Sequence, residues 1–258
     1  MEFLRTLQAT FITLKRTYAV SLAIAAPLFI VCFRLLIFLV DNELMHGRAW
    51  NYWFEGNIAF WTGILFVLTI SLDIALVVDI DRSAHIWKYL FALPVSRTWI
   101  YLSKFIVAIA LTFMSGLLLL VASIVVGYLL GAIRPQLGFS LSSPDILYYL
   151  WVIFLATLAA LLLISFYTWI SMRTKNFILP VAISIVGEVI NIVGYDNANI
   201  QKFFPWIYAL DIGRILTRTP QTQVYSGWSP PVILLISIIG AICVTCLGIM
   251  EFKRRDIY

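Results

Sequence analysis

Residues 105–130 read FIVAIALTFMSGLLLLVASIVVGYLL, a run without one Asp, Glu, Lys or Arg. An α-helix rises about 1.5 Å per residue, so this run as a helix outreaches the roughly 30 Å hydrocarbon core of a bilayer. Residues 146–172 repeat the pattern, again with no formal charge. In hydrocarbon each backbone N–H and C=O has to find its partner within the chain, so both runs are expected as α-helices. The whole chain agrees: 258 residues are 62% hydrophobic and 12% charged, against about a quarter charged in soluble domains. The expected class is an all-α polytopic membrane protein with no soluble domain left over.

Working outward, the apolar runs divide residues 1–258 into a single transmembrane domain of six spans, at 19–40, 57–79, 99–131, 146–172, 177–194 and 232–251. Lys and Arg set the orientation. The N-terminal segment, the 80–104 connection, the 172–176 turn and the tail together hold twelve basic residues, and the opposite connections hold five. Both termini are therefore expected on the cytoplasmic side of the cytoplasmic membrane. The formal net charge of +5 follows from this anchoring and does not point to nucleic acid.

Ahead of the first span, residues 1–18 are too long and too amphipathic for the n-region of a cleavable signal. Phe3, Leu4, Leu7, Phe11 and Leu14 fall on one stripe, which predicts a helix lying in the membrane interface. Residues 195–231 form the longest connection. They carry Phe203, Phe204, Trp206, Ile207, Tyr208, Leu210, Ile212, Ile215 and Leu216, with Asp211, Arg214 and Arg218 on the opposite face. A structureless loop of that length is unusual, so one or two interfacial or re-entrant helices are expected at the outer surface.

Residues 81–97, DRSAHIWKYLFALPVSR, lie between two membrane-grade runs and carry His85, Lys88 and Arg97, so they belong in water. Yet Ile86, Trp87, Leu90, Phe91 and Leu93 recur at spacings of three and four, one face of a short helix. Asp81 or Ser83 is placed to cap its start, and Pro94 ends it. An aromatic stripe tethered at both ends to the membrane suits a groove in another protein; it equally suits the lipid surface.

Three charges fall within or close to the spans. Glu188 is expected near the bilayer midplane with Asn191 one turn away, which makes the pair a candidate for a path or a dimer seam, or else a packing element. Asp73 and Lys104 are expected to pair at the inner ends of spans two and three. Arg34 is expected to reach toward Asp41 or Glu43 as an anchor.

Catalytic and metal-binding patterns are missing from the sequence. His46 and His85 fall on opposite sides of the expected topology. Cys32, Cys243 and Cys246 lie inside apolar runs, where cysteine behaves as a small hydrophobe. There is no H-E-x-x-H, no G-x-S-x-G, and no Gly followed by Lys, hence no phosphate-binding loop. No cofactor or metal is expected, and ATP, if used, is bound by another polypeptide. An intramembrane hydrolase or protease would need an acid–base or metal set at one depth, which Glu188 does not have around it in the sequence. A scaffold or sensor is the remaining alternative.

The six spans, the N-terminal surface helix and the connection ending Leu93-Pro94-Val95-Ser96-Arg97 before Leu102-Ser103-Lys104 resemble an ABC transporter permease of the ABC-2 type. Leu14-Lys15-Arg16 with Ala26-Pro27-Leu28, Trp87-Lys88-Tyr89-Leu90-Phe91-Ala92-Leu93-Pro94, and the closing Phe252-Lys253-Arg254-Arg255-Asp256-Ile257 resemble more narrowly the lantibiotic and bacitracin-type immunity permeases. The resemblance implies that residues 82–93 are a coupling helix seated in a separate ATP-binding subunit. It also implies a dimer of permeases, identical or related, that exports an amphiphile such as an antimicrobial peptide, a lipid or a drug.

Overall fold

The computed structural model describes residues 2–14, 17–40, 48–83, 96–174, 176–193, 202–217 and 227–254, with 64 and 81–83 described by backbone alone. Among these residues the regular structure is helical. The α-helices are α1 (Glu2–Leu14), α2 (Tyr18–Val40), α3 (Ala49–Phe60), α4 (Phe66–Ser83), α5 (Arg97–Ile133), α6 (Ile146–Ala159), α7 (Leu161–Arg173), α8 (Ile178–Val193), α9 (Tyr208–Thr217) and α10 (Pro230–Arg254). The run that opened the sequence reading lies inside α5, which is the axis of the bundle: α1, α2, α4, α6, α7 and α10 all pack on it.

Three helices, α2, α5 and α10, are each long and apolar enough to cross a bilayer, and counting the bent pairs α3–α4 and α6–α7 as one span each gives up to five. The expected 146–172 span is one such pair. It bends by 44° at Ala160, where no Gly or Pro interrupts the sequence. The break is held from outside by Ser237 of α10, whose hydroxyl donates to the Ala159 carbonyl (2.7 Å) and accepts from the Leu162 N–H (3.2 Å). A helix interruption inside an apolar bundle is tolerated when a neighbouring hydroxyl satisfies the freed backbone groups.

The expected second span begins earlier than 57. Helix starts at Ala49 and passes through a π turn, Trp61–Leu65, with a bend of 51° between its two halves. Glu55, Gly56 and Asn57 lower the local hydropathy, but Trp50, Trp53 and Phe54 just before them are fully buried. The Trp50 indole donates to the Phe139 carbonyl (2.9 Å) and the Trp53 indole to the Ser123 carbonyl (2.8 Å), while the Asn57 amide donates to the Ser123 hydroxyl (2.9 Å). Lipid chains are as apolar as leucine, so helices in a bilayer associate through close packing and such hydrogen bonds. Gly127 shows the packing side: a Cβ there would overlap the Trp50 ring.

Both ends of the chain gather at one end of the bundle. Phe3 of α1 packs on Trp99 at 5.0 Å, and the Thr10 hydroxyl donates to Ser103 (3.1 Å), both at the start of α5. Arg97, also at that start, donates through Nη1 to the Lys253 carbonyl near the end of α10 (3.0 Å). The predicted N-terminal helix exists, but its stripe is divided: Leu14 is buried with Thr10, whereas Leu4, Phe11 and Ile12 face outward.

The long connection holds a short 3₁₀ turn, Pro205–Ile207, followed by α9. The expected wet face of this segment is corrected. α9 packs among α3, α6, α10 and the π turn, and Asp211, expected on its wet face, is fully buried and partnered. Arg218 lies outside the described residues.

Candidate functional site

α8, an apolar helix shorter than the candidate spans, positions the Glu188 carboxylate. Its buried face recurs at Pro180, Ser184, Gly187, Glu188 and Asn191, whereas Ile185, Val189 and Ile192 point outward. This polar-in, apolar-out helix suits a position between the bundle and lipid. It packs on α4, on α7 and on the turn Pro205–Ile207. Ser184 meets Ser71 of α4 in a hydroxyl–hydroxyl hydrogen bond of 2.8 Å. One turn on, Gly187 lets the Trp206 ring lie on the helix, since a Cβ at Gly187 would overlap the indole. The Trp206 indole N–H donates to the Tyr167 hydroxyl of α7 (3.1 Å).

Glu188 sits beside this pair and is 5% exposed, and neither carboxylate oxygen has a hydrogen-bond partner. Asn191 stands next to it on the same buried face. Burying a polar group without partners costs roughly 1–3 kcal/mol by mutational measures, so this is an expensive arrangement for a residue that only fills space. Sequence reasoning found Glu188 and Asn191 but not Ser71, Ser184, Tyr167 or Trp206. Their signal was a hydroxyl or ring N–H inside an apolar run, which marks a helix contact without naming its partner.

The other expected site residues separate. Ile86, Trp87, Leu90, Phe91 and Leu93 lie outside the described residues, so the expected helix over 82–93 does too, apart from Arg82 and Ser83. α4 continues through Asp81 to Ser83, so neither position opens a new helix. Arg97 opens α5 and is tied to Lys253. Asp73 and Lys104 do not form the expected ion pair. The Lys104 ammonium donates to the Val77 carbonyl (2.9 Å), one turn beyond Asp73, and one carboxylate oxygen of Asp73 is buried without a partner. The long lysine stem carries the ammonium along the neighbouring helix to this backbone carbonyl instead.

Arg34 differs as well. Asp41 and Glu43 lie outside the described residues. The guanidinium is folded in between α2 and α3, 5.0 Å from the Phe38 ring, 5.7 Å from Tyr52 and Phe60, and 5.9 Å from Trp53. Its Nη2 donates to the Tyr52 carbonyl (3.3 Å), and Gly56 leaves room for its plane. Aromatic faces attract a weakly hydrated guanidinium, and four of them surround this one.

Among the described residues, polar side chains join neighbouring helices at Ser71–Ser184, at Asn57–Ser123 and at Ser237 beside the α6–α7 break. Residues 6–191 match the model of the ABC-2 family transporter protein. The chain belongs to this family. No curated protein and no solved structure matches it. The match runs from α1 into α8 and includes Glu188 and the 81–97 stretch, and it stops short of α9 and α10. An ABC-2 family chain is a membrane protein, the permease subunit of an ABC transporter, and works with an ABC ATP-binding subunit.

Proposed function

We propose that this permease is the six-span half of an ABC exporter, with both termini in the cytoplasm and residues 82–93 docked in a separate ATP-binding subunit. A second permease, identical or related, completes the pathway, and an amphiphile leaves the inner leaflet or cytoplasm outward. Within the family the nearest fit is the lantibiotic and bacitracin-type immunity group, whose substrate would be a membrane-inserted antimicrobial peptide. The observation that carries the reading is the aromatic stripe Trp87, Leu90, Phe91 on a basic connection, in a chain matched to the family over residues 6–191. The gathering of α1, the start of α5 and the tail at one end of the bundle supports a shared side for both termini. The apolar faces left exposed on α2 and α8, including Phe29, Phe33, Ile185 and Val189, suit lipid and a second permease.

In this reading α8 is the moving wall. Its seam with α4 includes the Ser71–Ser184 hydroxyl pair, and the buried face beyond it carries Gly187, Glu188 and Asn191. Glu188 and Asn191 then border the substrate's path. Affinity purification of the chain from its native membrane tests the whole assignment. A phosphate-loop ATPase should accompany it, and ATP hydrolysis should rise with substrate. A purified chain that binds no ATPase and confers no ATP-dependent export would overturn it.

A further inference from the structure

At the end of the bundle away from the termini, a cleft of about 680 Å³ opens between α5 and α6. Its wall is aromatic: Trp151 and Phe154 of α6 lie 5.6 Å apart and nearly parallel, and Phe113 of α5 meets Phe154 edge-on at 6.4 Å. Leu147 and Tyr148 continue the wall upward, and Tyr148 is fixed by donating its hydroxyl proton to the Leu216 carbonyl of α9. Asp145 stands at the mouth. Its carboxylate caps α6 by accepting from the Tyr148 N–H (3.2 Å), and among the described residues no basic side chain pairs with it. Phe154 lies nine positions after Asp145, roughly 14 Å of helix, about the distance from headgroup level to the middle of one leaflet.

We propose that this cleft holds one phospholipid of the surrounding bilayer, chosen by an ammonium on its headgroup. Asp145 accepts from the ammonium at the water surface, and the acyl chain lies along Trp151, Phe154 and Phe113. The choice of occupant follows from charge. A lone carboxylate above an apolar, aromatic wall favours a headgroup carrying a cation and disfavours an anionic one. The site is distinct from the α8 seam, and it holds whichever way the chain is oriented, so its failure and that of the exporter reading are separable. Under that reading it lies in the outer leaflet and fixes the bend of α6 against α5 while α8 moves.

The test uses the full chain reconstituted in vesicles holding equal phosphatidylethanolamine and phosphatidylglycerol with matched acyl chains, followed by native mass spectrometry of retained lipid. The wild type should retain the amine lipid over the anionic one by roughly three- to tenfold, the scale of one charge-assisted contact. Asp145→Asn keeps an equally good helix cap and removes the charge, so the preference should vanish while total lipid persists. Asp145→Glu should keep it, and Trp151→Ala should lower retention of both lipids. Equal retention by the wild type, or a preference that survives Asp145→Asn, would overturn the proposal. So would cross-linking of a cysteine at Leu147 to a second copy, which would make the cleft an interface between chains.

Discussion

The Ser237 hydroxyl of α10 bridges the broken backbone between α6 and α7, donating to the Ala159 carbonyl and accepting from the Leu162 N–H. One buried side chain thereby satisfies both sides of a helix interruption. Ser237→Ala removes the bridge and leaves two buried backbone groups unpaired, at a cost of roughly 1–3 kcal/mol. The thermal midpoint of the detergent-solubilised protein should fall, and Ser237→Thr should lose less. A Ser237→Ala protein as stable as the wild type would show that the bend is held by packing alone.

Arg34 is held by rings and one carbonyl, so shape matters as much as charge. Arg34→Lys keeps the charge but loses the planar guanidinium over four rings and should destabilise the α2–α3 contact nearly as much as Arg34→Met. Unfolding midpoints of the two variants check this. A lysine variant of full stability would mean that charge alone is required.

At the α8 seam the informative comparison is between Glu188→Gln and Glu188→Leu. If Glu188 borders the path, the Gln variant retains assembly and basal ATP hydrolysis but loses export or substrate resistance. If it serves packing, Gln is close to neutral and Leu disturbs assembly. Full export by the Gln variant would remove Glu188 from the residues whose charge matters.

Orientation has its own test. Cysteines placed at Asn51 and Gln221 should react with an impermeant reagent applied to intact cells, and one at Ala84 should be protected until the cells are opened. Labelling of Ala84 from outside would reverse the topology and remove the ATP-binding partner with it.

The spans were legible where the run of apolar residues was unbroken: α2, α5 and α10 lie within a few residues of the expected 19–40, 99–131 and 232–251. The bend at Ala160 was not legible, because its cause is a serine far along the chain rather than a local Gly or Pro. Nor was the early start at Ala49, since Glu55 and Asn57 dilute hydropathy without preventing burial. Asn57 is buried because Ser123 of α5 meets its amide, a pairing that no periodicity reveals. For the candidate site, depth alone pointed to Glu188 and Asn191. Tyr167 and Trp206 reach that place only through tertiary packing, and Lys104 had two acceptors within reach, Asp73 and the Val77 carbonyl, between which spacing could not choose.

The most direct measurement of the central claim concerns Trp87 and Phe91, on the connection that would enter the ATP-binding subunit. Buried aromatic anchors at interfaces commonly contribute about 2 kcal/mol or more each. Trp87→Ala combined with Phe91→Ala should therefore insert normally in the membrane but lose the co-purifying ATPase, along with substrate-stimulated ATP hydrolysis. Undiminished co-purification and stimulation in the double variant would contradict the coupling of this permease to its ATPase through residues 82–93.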